Sequence, residues 1–158
     1  MAIWTVPLFL GLLLATDGAL GGLEHLHKSC PPDWTEYGNR CFKFFKPQVE
    51  WVDAETECLK NSGNLASVHS HKENAFLQDL IKKDTGSLMI TWIGGHDAVA
   101  EGTWLWSDGS RMDFHDWSKN EPSNYKNKEH CMTMNYGDLN QWNDIPCNLS
   151  RPFICARN

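Results

Sequence analysis

Residues 107–129 read SDGSRMDFHDWSKNEPSNYKNKE, a stretch with no convincing helix or strand pattern. Its few apolar residues are scattered, and Asp, Asn, Ser, Lys and a single proline fill the remainder. An irregular loop this long inside a compact domain requires either a function or something that orders it. The segments on either side are short and strand-like. Thr91-Trp92-Ile93 and Thr103-Trp104-Leu105-Trp106 precede it, and Cys131–Tyr136, Gln141–Asp144 and Phe153–Ala156 follow.

Further upstream the periodicity changes. Cys30 to Cys41 encloses a small looped hairpin, and Cys41–Phe45 (CFKFF) reads as a strand. Residues 48–61 predict a helix with Trp51, Ala54 and Cys58 near one face and Gly63 placed to stop it. A second helix begins at Ser70, where Ser70-His71-Lys72-Glu73 has the S-x-x-E form of a reciprocal cap. Phe76, Leu77, Leu80 and Ile81 supply its buried stripe, and Gly86 marks its end. Two helices early and a loop-rich antiparallel sheet late give an α+β fold. Six cysteines at 30, 41, 58, 131, 147 and 155 imply three disulfides in an exported chain, with the pairing open.

The chemistry concentrates around the long loop. Glu121, Glu129, Asn143 and Asp144 offer carboxylate and amide oxygens, and Ser123 adds a hydroxyl. Calcium takes six to eight oxygen ligands at roughly 2.3–2.6 Å in a geometry that loops can supply. Three carboxylates would balance its charge, and the bound ion would explain how the loop is ordered. Two vicinal sugar hydroxyls can complete such a coordination shell while hydrogen-bonding the ligand side chains.

From Cys30 to Cys155 the chain resembles a C-type lectin domain of the long form. Trp92-Ile93-Gly94-Gly95 is close to the family's WIGL, Trp104-Leu105-Trp106-Ser107-Asp108-Gly109 matches a second motif, and Trp142-Asn143-Asp144 matches its WND. The chain looks most similar to small secreted fish lectins and the related antifreeze and venom lectins. The resemblance implies two helices with antiparallel sheets, a calcium-binding loop, and disulfides Cys30–Cys41, Cys58–Cys155 and Cys131–Cys147. It also implies calcium as cofactor, with Glu121, Ser123, Glu129, Asn143 and Asp144 as metal and carbohydrate ligands. A cis peptide before Pro122 belongs to the same pattern.

Ser123 departs from that pattern, in which an amide or carboxylate stands at the third place of Glu-Pro-Asn or Gln-Pro-Asp. A leading glutamate implies mannose-type hydroxyls, and Glu121 therefore favours mannose over galactose. Tyr125 points the other way, because galactose binders often carry an aromatic there. The resemblance further places an auxiliary calcium position at Asp97 and Glu101. The other residues usual at that position fall on Asn124 and His130.

The beginning of the chain reads differently from the rest. Val6 to Ala15 is apolar and too short to span a bilayer comfortably, and small residues follow it. Residues 1–21 are expected to be a signal peptide, 22–29 a short leader and 30–156 the single domain, exported to the extracellular space. The formal net charge is −6 without a basic block, which argues against nucleic acid and polybasic membrane docking. No GxSxG, HExxH or P-loop is present, so no enzyme is expected. His69 and His71 are expected to be solvated, and the tryptophans to pack rather than stack on sugar. Asn148-Leu149-Ser150 is a glycosylation sequon. Glycans on cell or microbial surfaces are the expected partners, with homo-oligomers supplying avidity. The rival reading is a non-sugar binder on the same fold, recognising ice or protein. The antifreeze relatives usually carry ten cysteines, against six here.

Overall fold

Thr91–His96 (TWIGGH, β4) is buried along most of its length and lies at the centre of an eight-stranded sheet. The computed structural model describes residues 30–158; the expected signal peptide and leader lie outside them. Before β4 come β1 (Thr35–Tyr37), β2 (Arg40–Val49), α1 (Trp51–Lys60), β3 (Asn64–Leu65) and α2 (His71–Thr85). After it come β5 (Leu105–Trp106), β6 (Cys131–Tyr136), β7 (Gln141–Ile145) and β8 (Arg151–Arg157). The main strand order is β1-β2-β8-β4-β6-β7, with β3 added to β8 and β5 to β4.

Among the described residues, the named strands pair antiparallel except β4 with β8, which meet in parallel at Trp92 and Phe153, and the isolated bridge from Trp117 to Trp142 is parallel too. The expected α+β fold with its antiparallel sheet is present, and the β4–β8 contact adds one parallel pairing to it. The long register of β8 against β2, from Cys41 opposite Arg157 to Val49 opposite Arg151, sets its direction. Strand β4 runs in the same direction as β8, so the two meet in parallel. Strand β5 is also shorter than expected, since Thr103 and Trp104 stay outside it.

Alternation along the strands divides the core in two. Ile93, Met132, Met134 and Ile154 face one side, where Leu77 and Ile81 of α2 cover them together with Phe42 and Trp142. Trp92, Cys131, Phe153 and Cys155 face the other, against Ala54 and Cys58 of α1. Disulfides join Cys30 to Cys41, Cys58 to Cys155, and Cys131 to Cys147, the pairing that the resemblance implied. Cys58–Cys155 ties α1 to β8, and Cys131–Cys147 ties the start of β6 to the turn after β7.

The helix ends show where local signals act. Ser70 Oγ accepts the Glu73 amide at 3.1 Å. The Glu73 carboxylate reaches back one residue further than expected, accepting the His69 amide at 2.7 Å and pairing with Arg40 at 2.5 Å. Helix α1 starts at Trp51 rather than near residue 48, because β2 continues through Val49. Its C-terminus is closed by a Schellman pair: the Gly63 amide donates to Cys58 O and the Ser62 amide to Leu59 O, both at 3.0 Å. The left-handed residue is Ser62 (φ 59°), not Gly63. Gly63 is required for a different reason, since a Cβ there would lie 2.3 Å from the carbonyl oxygen of Ala156 in β8.

Adjacent substitutions should therefore have opposite effects. Gly63→Ala forces backbone apart and is expected to cost about 1–3 kcal/mol, as overpacking does. Ser62→Gly relieves a left-handed serine and should stabilise by up to about 1 kcal/mol, less the entropy that glycine loses. Urea unfolding midpoints of the two variants check this; a loss in both would contradict the account.

Candidate functional site: an oxygen cluster where the long loop meets β7

The loop is fastened to β7 before its polar residues arrive. Trp117 bridges Trp142, the Ser118 amide donates to Trp142 O at 2.8 Å, and the Trp142 amide donates to Asp116 O at 2.8 Å. The Trp142 ring is fully buried, and its indole nitrogen donates to Asn74 Oδ1 of α2 at 2.9 Å. Trp106, Phe114 and Trp117 meet it edge-on, at centroid distances of 5.7, 5.4 and 6.1 Å. These three tryptophans thus pack, and the packing fixes the position of the next two residues, Asn143 and Asp144.

Asp144 is 1 % exposed, and both of its carboxylate oxygens accept loop amides: Ser123 N on Oδ1 and Asn124 N on Oδ2, each at 2.8 Å. The Ser123 amide is shared with Glu121 Oε2 at 3.1 Å. Glu129 Oε2 accepts the Tyr125 amide at 2.7 Å and the Ser123 hydroxyl at 2.9 Å. Three carboxylates therefore converge on the backbone of Ser123–Tyr125. The chain reaches this shape through left-handed backbone at Asn120, Asn124, Lys126 and Asn127, three of them asparagines, which tolerate that conformation better than most residues. The Glu121–Pro122 peptide is cis.

Asn143 stands opposite Thr133 in the β6–β7 register. Its amide oxygen accepts the Thr133 hydroxyl, and its NH₂ donates to Asp144 O at 3.3 Å. Thr133 was not singled out from the sequence, although aligning the two strands as a hairpin would have found it. Asn124 was also missed in this role. Its amide caps Asp144, and its side-chain oxygen accepts the Glu129 amide at 3.4 Å. Tyr125 is 65 % exposed, with the Lys126 ammonium 5.2 Å from its ring centre.

Burial, then the hydrogen bond to Asp144 and the negative charges of Asp144 and Glu129, push the Glu121 carboxyl up to about 7, against the Ser123 contact that lowers it. No ion pair among the described residues links Glu121, Glu129 or Asp144 to a lysine or arginine. The set consists of oxygen donors with excess negative charge, which suits a hard divalent cation. Bidentate carboxylates and outside hydroxyls would bring five protein residues to the required coordination number.

A second cluster lies close by. The Asp97 and Glu101 side chains meet His130, whose Nδ1 is 3.0 Å from Asp97 Oδ1 and 3.3 Å from Glu101 Oε2. Partial desolvation and the neighbouring Asp97 carboxylate push Glu101 above the usual glutamate range. Among the described residues, this is the one trio of His, Cys, Asp or Glu whose ligand atoms all lie within 4.8 Å of one another.

The expectation of a solvated His69 is corrected. Its Nδ1 is 2.7 Å from Asp113 Oδ1, and its Nε2 is 3.0 Å from Ser67 Oγ and 3.2 Å from Ser110 Oγ. This arrangement places Ser, His and Asp in line, which the sequence did not suggest. Both hydroxyls, however, donate to Asp108, at 2.5 Å from Ser67 and 2.6 Å from Ser110, so neither is free to be activated by the imidazole. His71 is exposed and meets the Phe114 ring edge-on at 4.7 Å.

Fold and site together define a C-type lectin-like domain. The chain belongs to the lectin C-type domain family, whose profile matches residues 47–157. It is 41% identical over 155 residues to the galactose-specific lectin nattectin of Thalassophryne nattereri, covering 98% of this chain and 96% of that one. It is 42% identical over 167 aligned residues to the lactose-binding lectin l-2 of Anguilla japonica, covering 99% and 97%. Herring type II antifreeze protein has the same fold, with a TM-score of 0.76 and 40% identity over 81% of this chain and 98% of that one. The family is not one of enzymes, and this chain is not an enzyme. Among the described residues, no helix is long and apolar enough to cross a membrane.

The raised Glu121 carboxyl has two consequences of opposite sign. Without metal, the folded state holds a proton that the unfolded chain releases near pH 4.5, so this group makes stability fall as pH rises towards 7. Cation binding must expel the same proton, so calcium affinity should weaken as pH falls from about 7.5 towards 5.5. Calcium titrations across that range, paired with melting curves in EDTA, measure both. A calcium affinity that does not change with pH would contradict the geometry.

Proposed function

We propose that this chain is an exported, calcium-dependent glycan-binding protein. Its proposed metal and sugar ligands are Glu121, Ser123, Glu129, Asn143 and Asp144. The observation that carries the reading is the convergence of three carboxylates, without an ion pair to a lysine or arginine among the described residues, on the backbone of Ser123–Tyr125. A bound calcium ion supplies positive charge for those carboxylates and open positions for a vicinal diol. The side-chain oxygens and the Asn143 NH₂ then hydrogen-bond the same hydroxyls.

For the sugar, we infer a galactose-type ligand. Ser123 brings no amide donor, and its hydroxyl donates to Glu129. Exposed Tyr125 offers an aromatic face for the apolar side of galactose. The galactose specificity of nattectin and the lactose binding of lectin l-2 support the same reading. Mannose is the second reading, and it rests on Glu121 leading the triplet. Ice binding is the rival class, supported by the likeness to herring antifreeze protein.

Three disulfides and the apolar run Val6–Ala15 support export behind a signal peptide at residues 1–21. Asn148 is exposed in the turn after β7, where a glycan would meet little obstruction. A site this shallow binds single sugars weakly, so homo-oligomers displaying several sites to a cell or microbial surface fit the reading.

The test is retention on galactose and mannose resins in millimolar calcium, with EDTA elution. Galactose resin should retain the protein, and EDTA should release it. Asp144→Asn should abolish retention, and Tyr125→Ala should weaken galactose binding by about 1 kcal/mol, the scale of an aromatic contact. Ser123→Asn should move preference towards mannose. Retention on neither resin, together with thermal hysteresis in the freezing solution, would favour the ice-binding reading instead.

A further inference from the structure

We propose that Asp97, Glu101 and His130 bind a zinc-class divalent cation at a site distinct in metal preference from the oxygen cluster of the loop. The resemblance assigned Asp97 and Glu101 to an auxiliary calcium position. The third donor in this chain is an imidazole nitrogen, and that changes the chemistry. Calcium takes hard oxygen ligands and needs six or more of them. Zinc accepts imidazole and carboxylate together, and a site with three protein ligands and a water is complete for it.

The geometry fits the smaller ion. Metal–ligand bonds of roughly 2.0–2.1 Å in a tetrahedron put neighbouring ligand atoms about 3.3–3.4 Å apart. His130 Nδ1 lies 3.0 Å from Asp97 Oδ1 and 3.3 Å from Glu101 Oε2, close to those edges before any ion enters. The ligands are also held in place. Asp97 has a side chain only 1 % exposed, and its second oxygen accepts the Gly102 amide at 2.8 Å, an outer contact of the kind that orients a metal-binding carboxylate. The Asp97 amide in turn donates to His130 O at 3.1 Å, fixing the two segments together. Glu101 is half exposed and stands on the open side, where an ion and its water can enter.

The other zinc-binding chemistries compete poorly. Every cysteine is in a disulfide, so no thiolate is available. His69 faces one carboxylate and two hydroxyls whose protons are already given to Asp108. The alternative role for the trio is an internal ion pair, with His130 itself as the cation. That arrangement would give no metal stoichiometry at all.

The experiment is calorimetric titration of zinc into the EDTA-stripped, dialysed full chain held in millimolar calcium, with cobalt(II) absorption as an independent probe of the coordinating atoms. One equivalent of zinc should bind despite the calcium. His130→Ala and Glu101→Gln, checked for native circular dichroism, should each weaken it by at least about tenfold, the lower end of what even an outer-sphere partner contributes. His130→Asp should weaken zinc and add one equivalent of calcium. The proposal is overturned if the native chain binds no zinc, if calcium displaces it, or if His130→Ala binds it as tightly. None of these residues is among the proposed calcium and sugar ligands, so sugar retention stands or falls separately.

Discussion

The Asp144 carboxylate pins the polar end of the long irregular loop to the sheet. Its two oxygens accept consecutive loop amides, Ser123 and Asn124, and hydrogen bonds of this charge-assisted kind are among the stronger ones available to a protein. Because Asp144 is almost fully buried, its position belongs to the sheet and not to the solvent-facing loop. The loop in turn brings Glu121 and Glu129 onto the same short piece of backbone. The cluster thus combines a buried acidic anchor with two more exposed carboxylates, an arrangement in which negative charges tolerate one another only through shared amide donors, proton uptake or a cation.

The anchor depends on the layer beneath it. Trp142 is wedged among Trp106, Phe114 and Trp117 and bonded to Asn74 of α2, so the strand carrying Asn143 and Asp144 cannot slide without disturbing the core. A one-residue slip would also exchange the two faces of β7 and bury the wrong side chains. The disulfide from Cys131 to Cys147 closes the β6–β7 pair at the end nearest the site. Functional side chains are thus placed by elements whose own stability comes from aromatic packing. The loop supplies ligands without having to build a core of its own.

Much of this was legible in the chain because the signals are local. The S-x-x-E cap at Ser70, the stripe of Phe76, Leu77, Leu80 and Ile81, and the oxygen-rich run around Glu121 each act within a few residues. What escaped depends on contacts between distant segments. Gly63 reads as a helix stop, yet its lack of a side chain answers to the carbonyl of Ala156 on the last strand. The parallel pairing of β4 with β8 brings Trp92 beside Phe153, a juxtaposition that no short window contains. Thr133 and Asn124 carry no motif, and their roles appear only once β6 lies beside β7 and the loop folds back. His69 looked like a solvated helix-entry residue because Asp113 and Ser110, which hold it, lie in the long irregular loop.

The central claim is that the carboxylates gathered on Ser123–Tyr125 form a calcium site. Backbone amide NMR spectra of the uniformly labelled chain, recorded in EDTA and then in millimolar calcium, test it most directly. The account predicts shifts concentrated at residues 121–129 and at Asn143 and Asp144, with the amides of Ser123, Asn124 and Tyr125 moving most. The strands β2 and β8 on the far side of the sheet should stay unchanged. A spectrum that calcium leaves unaltered around Ser123–Tyr125 would contradict it.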